Sequence, residues 1–311
     1  MSKMYAVETE NLSKLFGSFK AVDDLNLRVP GGSIYGFLGP NGAGKTTTIK
    51  MLTGLSKPSS GIIKICGKEV KFGSLKNRLD IGYLPDVPAF YNWMTPAEFL
   101  EFCGELFSIE DMILKDRVEY LLDLVGLNGV KKKIGGFSRG MKQRLGIAQA
   151  LINNPKVIFL DEPTSALDPI GRKDVMDIIA KLAGKVTVFF STHILADIER
   201  VCDRVVILNK GRVQIEDTME NLRKENSRQG VSVELEADSL CDNFVSVLKQ
   251  QKWVEDVSNG ENIDEIRIYV TDIKEAQLNI PRLLSEREIA LKRFSTIEPS
   301  LEDIFLKVVN G

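Results

Sequence analysis

The stretch GPNGAGKTT, Gly39 to Thr47, carries the first chemical signal in this chain. It fits the spacing GxxxxGK[ST] and stands between a strand-like run and a helix-like one. Gly39, Gly42 and Gly44 let backbone N–H groups converge without Cβ clashes, and Pro40, Asn41 and Ala43 complete the loop. Converging N–H groups hold phosphate oxygens. Lys45 adds a point charge suited to the space between a β- and a γ-phosphate, and Thr46, followed by Thr47, offers a hydroxyl to Mg2+. The chemistry implied is binding of a nucleoside triphosphate.

KVIFLDEP supplies a second half. Val157 to Leu160 are apolar and of strand length, which aims Asp161 and Glu162 at one end of a buried sheet. Asp161 is expected to hold Mg2+ through water, because Mg2+ keeps much of its hydration shell. Glu162 is expected to polarise an attacking water as general base. A lone Asp-Glu pair after a strand is ordinarily a solvated loop; beside a phosphate loop it completes a hydrolytic site.

A third stretch is GGFSRGMKQRL, Gly135 to Leu145. Ser138 sits where an N-cap belongs, and Met141, Leu145, Ala148 and Leu151 recur at helical spacing. A helix N-terminus with Arg139 and Lys142 in its first turns favours an anion. The stretch itself does not say which one.

These residues need elements to position them. With 311 residues the chain has room for about two domains. Its 43% hydrophobic and 27% charged residues suit a globular protein, and a net charge of -2 gives no overall field for nucleic acid. The cysteines at 66, 103, 202 and 241 form no CxxC pair, which fits reduced thiols rather than a metal site or disulfide framework. No apolar run approaches the ~20 residues of a membrane span, and MSKMYAVETE lacks the apolar core of a signal peptide.

MYAVETENLSKLF, KAVDDLNLRV and SIYGFLG read as strands divided by turn residues, as in an antiparallel arrangement. GKTTTIKMLTGL reads as a helix, GIIKIC and IGYLP as strands, and Pro96 to about Ile152 as mostly helical. KVIFLDEP and KVTVFFSTH read as buried parallel strands, and RVVILNKGRVQIED as a hairpin. After a polar stretch, MENLRKENSRQG, the order becomes strand, helix, strand, strand, helix, strand and a closing helix, PSLEDIFLKVV. That order predicts a small ferredoxin-like sandwich.

Taken in order, Gly39–Thr47, Ser138–Gly140, Val157–Glu162, SALD at 165–168 and STH at 191–193 resemble an ABC-type ATPase over about residues 3–218. The resemblance implies an α/β P-loop NTPase with a mixed-sheet core, an antiparallel β subdomain and a helical signature subdomain at about 90–152. The expected organisation is an ATPase domain at 1–218, a linker at 219–230 and an α+β accessory domain at 231–311. ATP and Mg2+ are the implied cofactors. A second ABC ATPase chain, identical or not, is the implied partner, closing head to tail. Ser138 and Gly140 of one copy would contact the γ-phosphate held by the other copy's phosphate loop. His193, the one histidine of the chain, would touch the γ-phosphate from the phosphate-loop side and join Glu162 as a catalytic residue. Asp168 would lie at the dimer seam. Phe16 stands where the family stacks an aromatic on adenine; the alternative is a core aromatic.

Two motifs depart from the family pattern. The usual LSGGQ reads Phe137-Ser138-Arg139-Gly140-Met141, and Asp86 stands where glutamine is usual. Asp86 keeps an acceptor for Mg2+ or water but gains a charge; otherwise it is a turn residue after Pro85. The ending TIEPSLEDIFLKVV and the stretch FSRGMKQRLGIAQAL resemble ATPases of ABC-2-type exporters of drugs, antibiotic peptides and sodium. Such a subunit binds a separate transmembrane permease and lies in the cytoplasm, peripheral to the inner face of the cell membrane. Phe90, Tyr91, Trp93 and Met94 are candidates for the groove that takes the permease's coupling helix, and each also suits ordinary core. The alternative function is an ABC ATPase acting on ribosomes or DNA. One phosphate loop, no sustained heptads and the net charge of -2 favour the transporter, with no nucleic acid expected.

Overall fold

The computed structural model describes residues 5–74, 78–225, 230–235, 242–260, 265–297 and 305. The chain divides into two compact units between Met219 and Glu220.

The first unit opens with β1 (Tyr5–Phe16) and β2 (Phe19–Pro30), an antiparallel hairpin whose register runs from Tyr5↔Pro30 to Phe16↔Phe19. Its turn uses Gly17 at φ 59°, a left-handed conformation that glycine adopts without a Cβ penalty. β3 (Ile34–Leu38) follows, then the phosphate loop, α1 (Lys45–Leu52), β4 (Ser60–Ile65), β5 (Lys68–Glu69) and β6 (Ile81–Leu84). One sheet takes the order β2-β1-β4-β5 and is antiparallel.

A helical section comes next: α2 (Pro96–Leu106), α3 (Asp111–Leu124) and α4 (Arg139–Leu151). α2 starts on a reciprocal cap, with Thr95 and Glu98 satisfying each other's backbone N–H groups and Pro96 at the first helical position. The chain then runs through β7 (Val157–Asp161), α5 (Pro169–Lys181), β8 (Thr187–Thr192), α6 (Leu195–Val201), β9 (Arg204–Asn209) and β10 (Arg212–Thr218). The second sheet has the order β10-β9-β3-β8-β7-β6.

The turn-divided opening strands do not all share one antiparallel sheet. β3 leaves it and pairs in parallel with β8 and β9. The reason is visible in its side chains: all of IYGFL is buried, as both-face covering requires, whereas β2 alternates buried and exposed positions. β7 and β8 are likewise buried throughout. Tyr35, Phe37 and Phe159 each pack against the Phe189 ring in this core, at 5.1–5.5 Å.

α4 is buried on more than one stripe: Gln143, Gly146, Ile147 and Ala150 join Leu145, Ala148 and Leu151. It lies hard against β6, where a Cβ at Gly82 would come within 1.9 Å of the Ala150 carbonyl oxygen.

α7 (Met219–Glu225) spans the boundary between the units. The second unit has β11 (Gly230–Leu235), α8 (Asp242–Lys249), β12 (Val254–Asn259), β13 (Glu265–Val270), α9 (Ile273–Ser285) and β14 (Leu291–Ile297). Its sheet is antiparallel in the order β12-β13-β11-β14, the ferredoxin-like arrangement expected from the element order. Val231, Val233, Ile266 and Ile268 pack with Phe244, Leu248, Ala276, Ile280 and Leu284 of its helices. The expected closing helix lies outside the described residues apart from Phe305.

Candidate nucleotide site

The parallel sheet places three loops side by side. β3 leads into the phosphate loop, its neighbour β8 into His193, and the next strand, β7, ends at Asp161 before Glu162. The carboxyl ends of parallel strands are where an open α/β sheet leaves a crevice for ligand.

At Gly39 and Gly44 the loop's backbone is packed too closely for a side chain. A Cβ at Gly39 would lie 2.5 Å from the Leu208 carbonyl oxygen; one at Gly44, where φ is 106°, would lie 2.4 Å from that of Ala21. Gly44 caps α1 without a side-chain hydrogen bond, so the first N–H groups of the helix face the loop. Lys45 is 6% exposed. Its Nζ donates to the carbonyls of Gly39 at 2.7 Å and Pro40 at 3.2 Å, and lies 3.1 Å from Glu162 Oε1.

Glu162 therefore bridges two groups, for its Oε2 is 2.9 Å from His193 Nδ1. Its backbone is held at φ 49°, in the left-handed region that non-glycine residues rarely occupy. The Glu162 N–H is fixed by Ser191, through its carbonyl at 3.2 Å and its Oγ at 3.1 Å. Ser191 Oγ donates in turn to Asp161 Oδ1 at 2.7 Å, and Thr46 Oγ1 donates to the same oxygen at 3.1 Å. Burial pushes the Asp161 carboxyl above the usual aspartate range; those two hydrogen bonds oppose the shift, and the charges of Glu162 and Asp86 add to it.

Such a carboxylate, with hydroxyl and carboxylate oxygens beside it, is a donor set of the hard type that suits Mg2+. Among the described residues no cluster of three or more His, Cys, Asp or Glu side chains forms a metal cage by itself. Thr46 and Asp161, joined by a hydrogen bond, could hold Mg2+, and Asp86 lies at the cavity wall.

The cavity has a volume of about 470 Å3. Asn41, Gly42, Gly44, Lys45, Thr46 and Thr47 line one side, and Asp86, Glu162, Ser165 and His193 the other. Phe16 and Phe19 lie on its rim, 56% and 62% exposed, so Phe16 is not a core aromatic. Lys14 Nζ stands 5.0 Å over the Phe16 ring. The sequence reading missed Phe19 and Ser165. Phe19 pairs with Phe16 across the hairpin turn, a signal available only once the register of that hairpin is known.

Ser138, Gly140 and Asp168 are not in that cavity. They line a separate hollow of about 290 Å3, where the N-termini of α4 and α5 meet. Ser138 Oγ accepts the Met141 N–H at 3.2 Å, and Asp168 Oδ1 accepts that of Gly171 at 2.9 Å. A Cβ at Gly140 would meet Gly171 Cα at 3.6 Å, an ordinary contact, so packing within one chain does not demand glycine there. Asp86 lines the phosphate cavity and also an adjoining one of about 280 Å3.

The aromatic segment after β6 forms its own cluster. Phe90 meets Phe99 at 5.1 Å and Tyr91 meets Trp93 at 5.0 Å. Tyr91 and Trp93 are 42% and 64% exposed, and a separate apolar hollow lies where α2 meets β6 and the end of α1. About 320 Å3 in volume, it is lined by Leu55, Val70, Tyr83, Cys103, Leu106 and Phe107 among others, and by none of Phe90, Tyr91, Trp93 or Met94. Burial pushes the Cys103 thiol up to about 11.

Comparison with known proteins decides the family. The ABC transporter family model matches residues 22–165, and that of the C-terminal domain of DrrA1-3-like ATP-binding proteins matches 218–309. YxlF of Bacillus subtilis (strain 168), an ABC transporter ATP-binding protein, is 39% identical over 97% of this chain and 99% of its own length. The chain belongs to the ABC transporter ATP-binding proteins. The bacitracin transport ATP-binding protein BcrA of Bacillus licheniformis is 40% identical to this ABC ATPase over 98% of the chain and 97% of its own length. Among solved structures, an ATP-binding subunit of an ABC transporter superposes with a TM-score of 0.64 at 32% identity, covering 71% of this chain and 92% of that one. The ATP-binding cassette MJ0796, solved as a dimer in a post-hydrolysis state with ADP and Pi, gives 0.61 at 27% identity, covering 68% and 98%. The chain is thus an ATPase of the transport family. No helix among its described residues is long and apolar enough to cross a membrane.

Proposed function

We propose that two copies of this ATPase close head to tail around two ATP molecules and drive an exporter through a separate transmembrane permease. The observation that carries this is the division of the site. One cavity holds the phosphate loop, Glu162 and His193; another hollow on the same chain holds Ser138, Gly140 and Asp168. A single chain presents two halves, and a second copy completes both.

In this reading the glycine loop and the α1 N-terminus bind the phosphates, Lys45 balances their charge, and Phe16 takes the adenine face. Glu162 accepts a proton from the attacking water through a carboxylate held between Lys45 and His193. Thr46 and Asp161 would hold Mg2+, which would supply charge neutralisation on the phosphates. Ser138 of the second copy closes on the γ-phosphate from the other side, and Asp168 lies at the seam. The apolar groove beside α2 receives the permease's coupling helix, which holds the ATPase at the inner face of the membrane. The relation to a bacitracin transport protein supports transport; the resemblance of the signature stretch and chain ending to exporter ATPases supports its direction.

Mixing variants tests the division. Lys45→Ala and Ser138→Arg should each abolish turnover alone, yet a mixture should recover it. One of the two sites in a mixed dimer then has an intact phosphate loop and an intact signature. Two folded, ATPase-dead preparations that stay dead on mixing would refute the shared site. Copurification tests the partner: a hydrophobic multispan protein supports the permease, and rRNA or DNA would count against it.

A further inference from the structure

Asp86 and Arg139 are the two charged departures from the family pattern, and they line the same cavity. This space of about 280 Å3 lies between the loop after β6 and the first turns of α4, with Lys142, Gln143, Ser165 and Leu167 also on its wall. Gln143 fixes the geometry. Its Nε2 donates to the Asp86 carbonyl at 3.0 Å, which holds the Asp86 backbone directly against α4. Arg139 stands four residues earlier on that helix, so its side chain projects from the same face, one turn nearer the N-terminus.

Asp86 stands in a cavity whose wall also carries two cations, Arg139 and Lys142. Asp86 adds its charge to a wall that already carries Glu162, and it reaches Asp161, whose carboxyl it helps push up. Asp86 and Glu162 both line the cavity whose proposed ligand is itself an anion. The Asp86 carboxylate and the Arg139 guanidinium make no hydrogen bond or ion pair among the described residues. Gln143 Oε1, on a side chain 5% exposed, is buried without a hydrogen-bond partner. An arginine fork has donors enough for both acceptors.

We propose that Arg139 pairs with Asp86 and Gln143 Oε1 across this cavity, as a positioning pair that couples the loop at one ATP to the signature helix that closes on the other. The inference rests on the nucleotide site proposed above. On this reading the two departures form one pair of opposite charge in a shared cavity. Neither departure is then a handicap alone, and each is matched to the other.

The test is a double-mutant cycle on the full-length protein, read by Mg2+-ATPase turnover. Asp86→Gln and Arg139→Gly should each lower kcat by roughly tenfold, about 1.4 kcal/mol in the barrier. The double variant, which restores the uncharged pattern, should return to within about threefold of the parent. Arg139→Lys should keep most of the activity, whereas Arg139→Met, of similar length but uncharged, should lose it; a merely space-filling role would treat the two alike. Effects that multiply in the double variant would overturn the pairing, as would an Asp86→Gln enzyme faster than the parent. If a single variant unfolds, Asp86→Asn with Arg139→Met repeats the cycle. Lys45→Ala, run alongside, separates the two readings. Normal turnover in that variant removes the nucleotide site, while the coupling between Asp86 and Arg139 is still read from Tm in the four proteins of the cycle.

Discussion

Glu162 sits between a cation and an imidazole, 3.1 Å from Lys45 and 2.9 Å from His193, with its backbone in a left-handed conformation. Backbone strain of this kind persists only where neighbours over-determine it, and here both acceptors on Ser191 hold the Glu162 N–H. The residue is thus fixed in main chain and side chain, which supports its proposed role as general base. Glu162→Gln should retain ATP but lose roughly 10²–10⁴-fold in turnover, the usual scale for this role. Nucleotide binding and phosphate release measured on the same sample check it; normal release would assign the base to another group.

At the level of elements, the close contact of β6 with α4 ties the signature helix to the core sheet. Gly82→Ala would put a methyl into the Ala150 carbonyl, and backbone cannot step aside as a flexible side chain can. The variant should lose about 1–3 kcal/mol of stability, measurable as a lower denaturant midpoint. A second tie is Asp80, whose carboxylate contacts Lys68 on β5 at 2.6 Å and Lys156 before β7 at 3.2 Å. Lys68 first, and Lys156 after it, hold the Asp80 carboxyl below the usual aspartate range. A depressed carboxyl stabilises the fold above its unfolded pKa, and that contribution is lost as pH falls through the folded value. Because both lysines are largely exposed, Asp80→Asn should lower Tm by only about 2–4 °C at neutral pH. Melting curves should show the gap closing as the pH is taken below the ordinary aspartate range; a gap independent of pH would assign the loss to packing.

For the whole molecule, the separation of the phosphate cavity from the Ser138 hollow makes assembly the decisive property. Ser138→Arg places a long cation in the hollow beside Gly140 and Asp168 while leaving the phosphate loop untouched. Monomeric ATP binding should survive and ATP-driven dimerisation should not. Gel filtration with and without ATP, in a Glu162→Gln background that keeps the nucleotide, reads both. Dimers that still form would remove Ser138 from the interface.

Sequence alone determined what each motif is made of. Glycines at 39, 42 and 44, an apolar run before Asp161 and a serine ahead of α4 are local facts, and local backbone chemistry fixes what such stretches become. The β/α order of the second unit was legible for the same reason, since period-2 and period-3.6 patterns are written in neighbouring residues. Tertiary structure decided the rest, because it sets which distant residues share a space. It took β3 out of the hairpin sheet and set it between β8 and β9. It put Phe19 on the cavity rim beside Phe16 and set Ser138 in a hollow apart from the phosphate loop. It also brought Asp86 and Arg139 to one cavity, although 53 residues separate them in the chain. No periodicity encodes such a meeting; it follows from β6 and α4 packing against each other through a glycine.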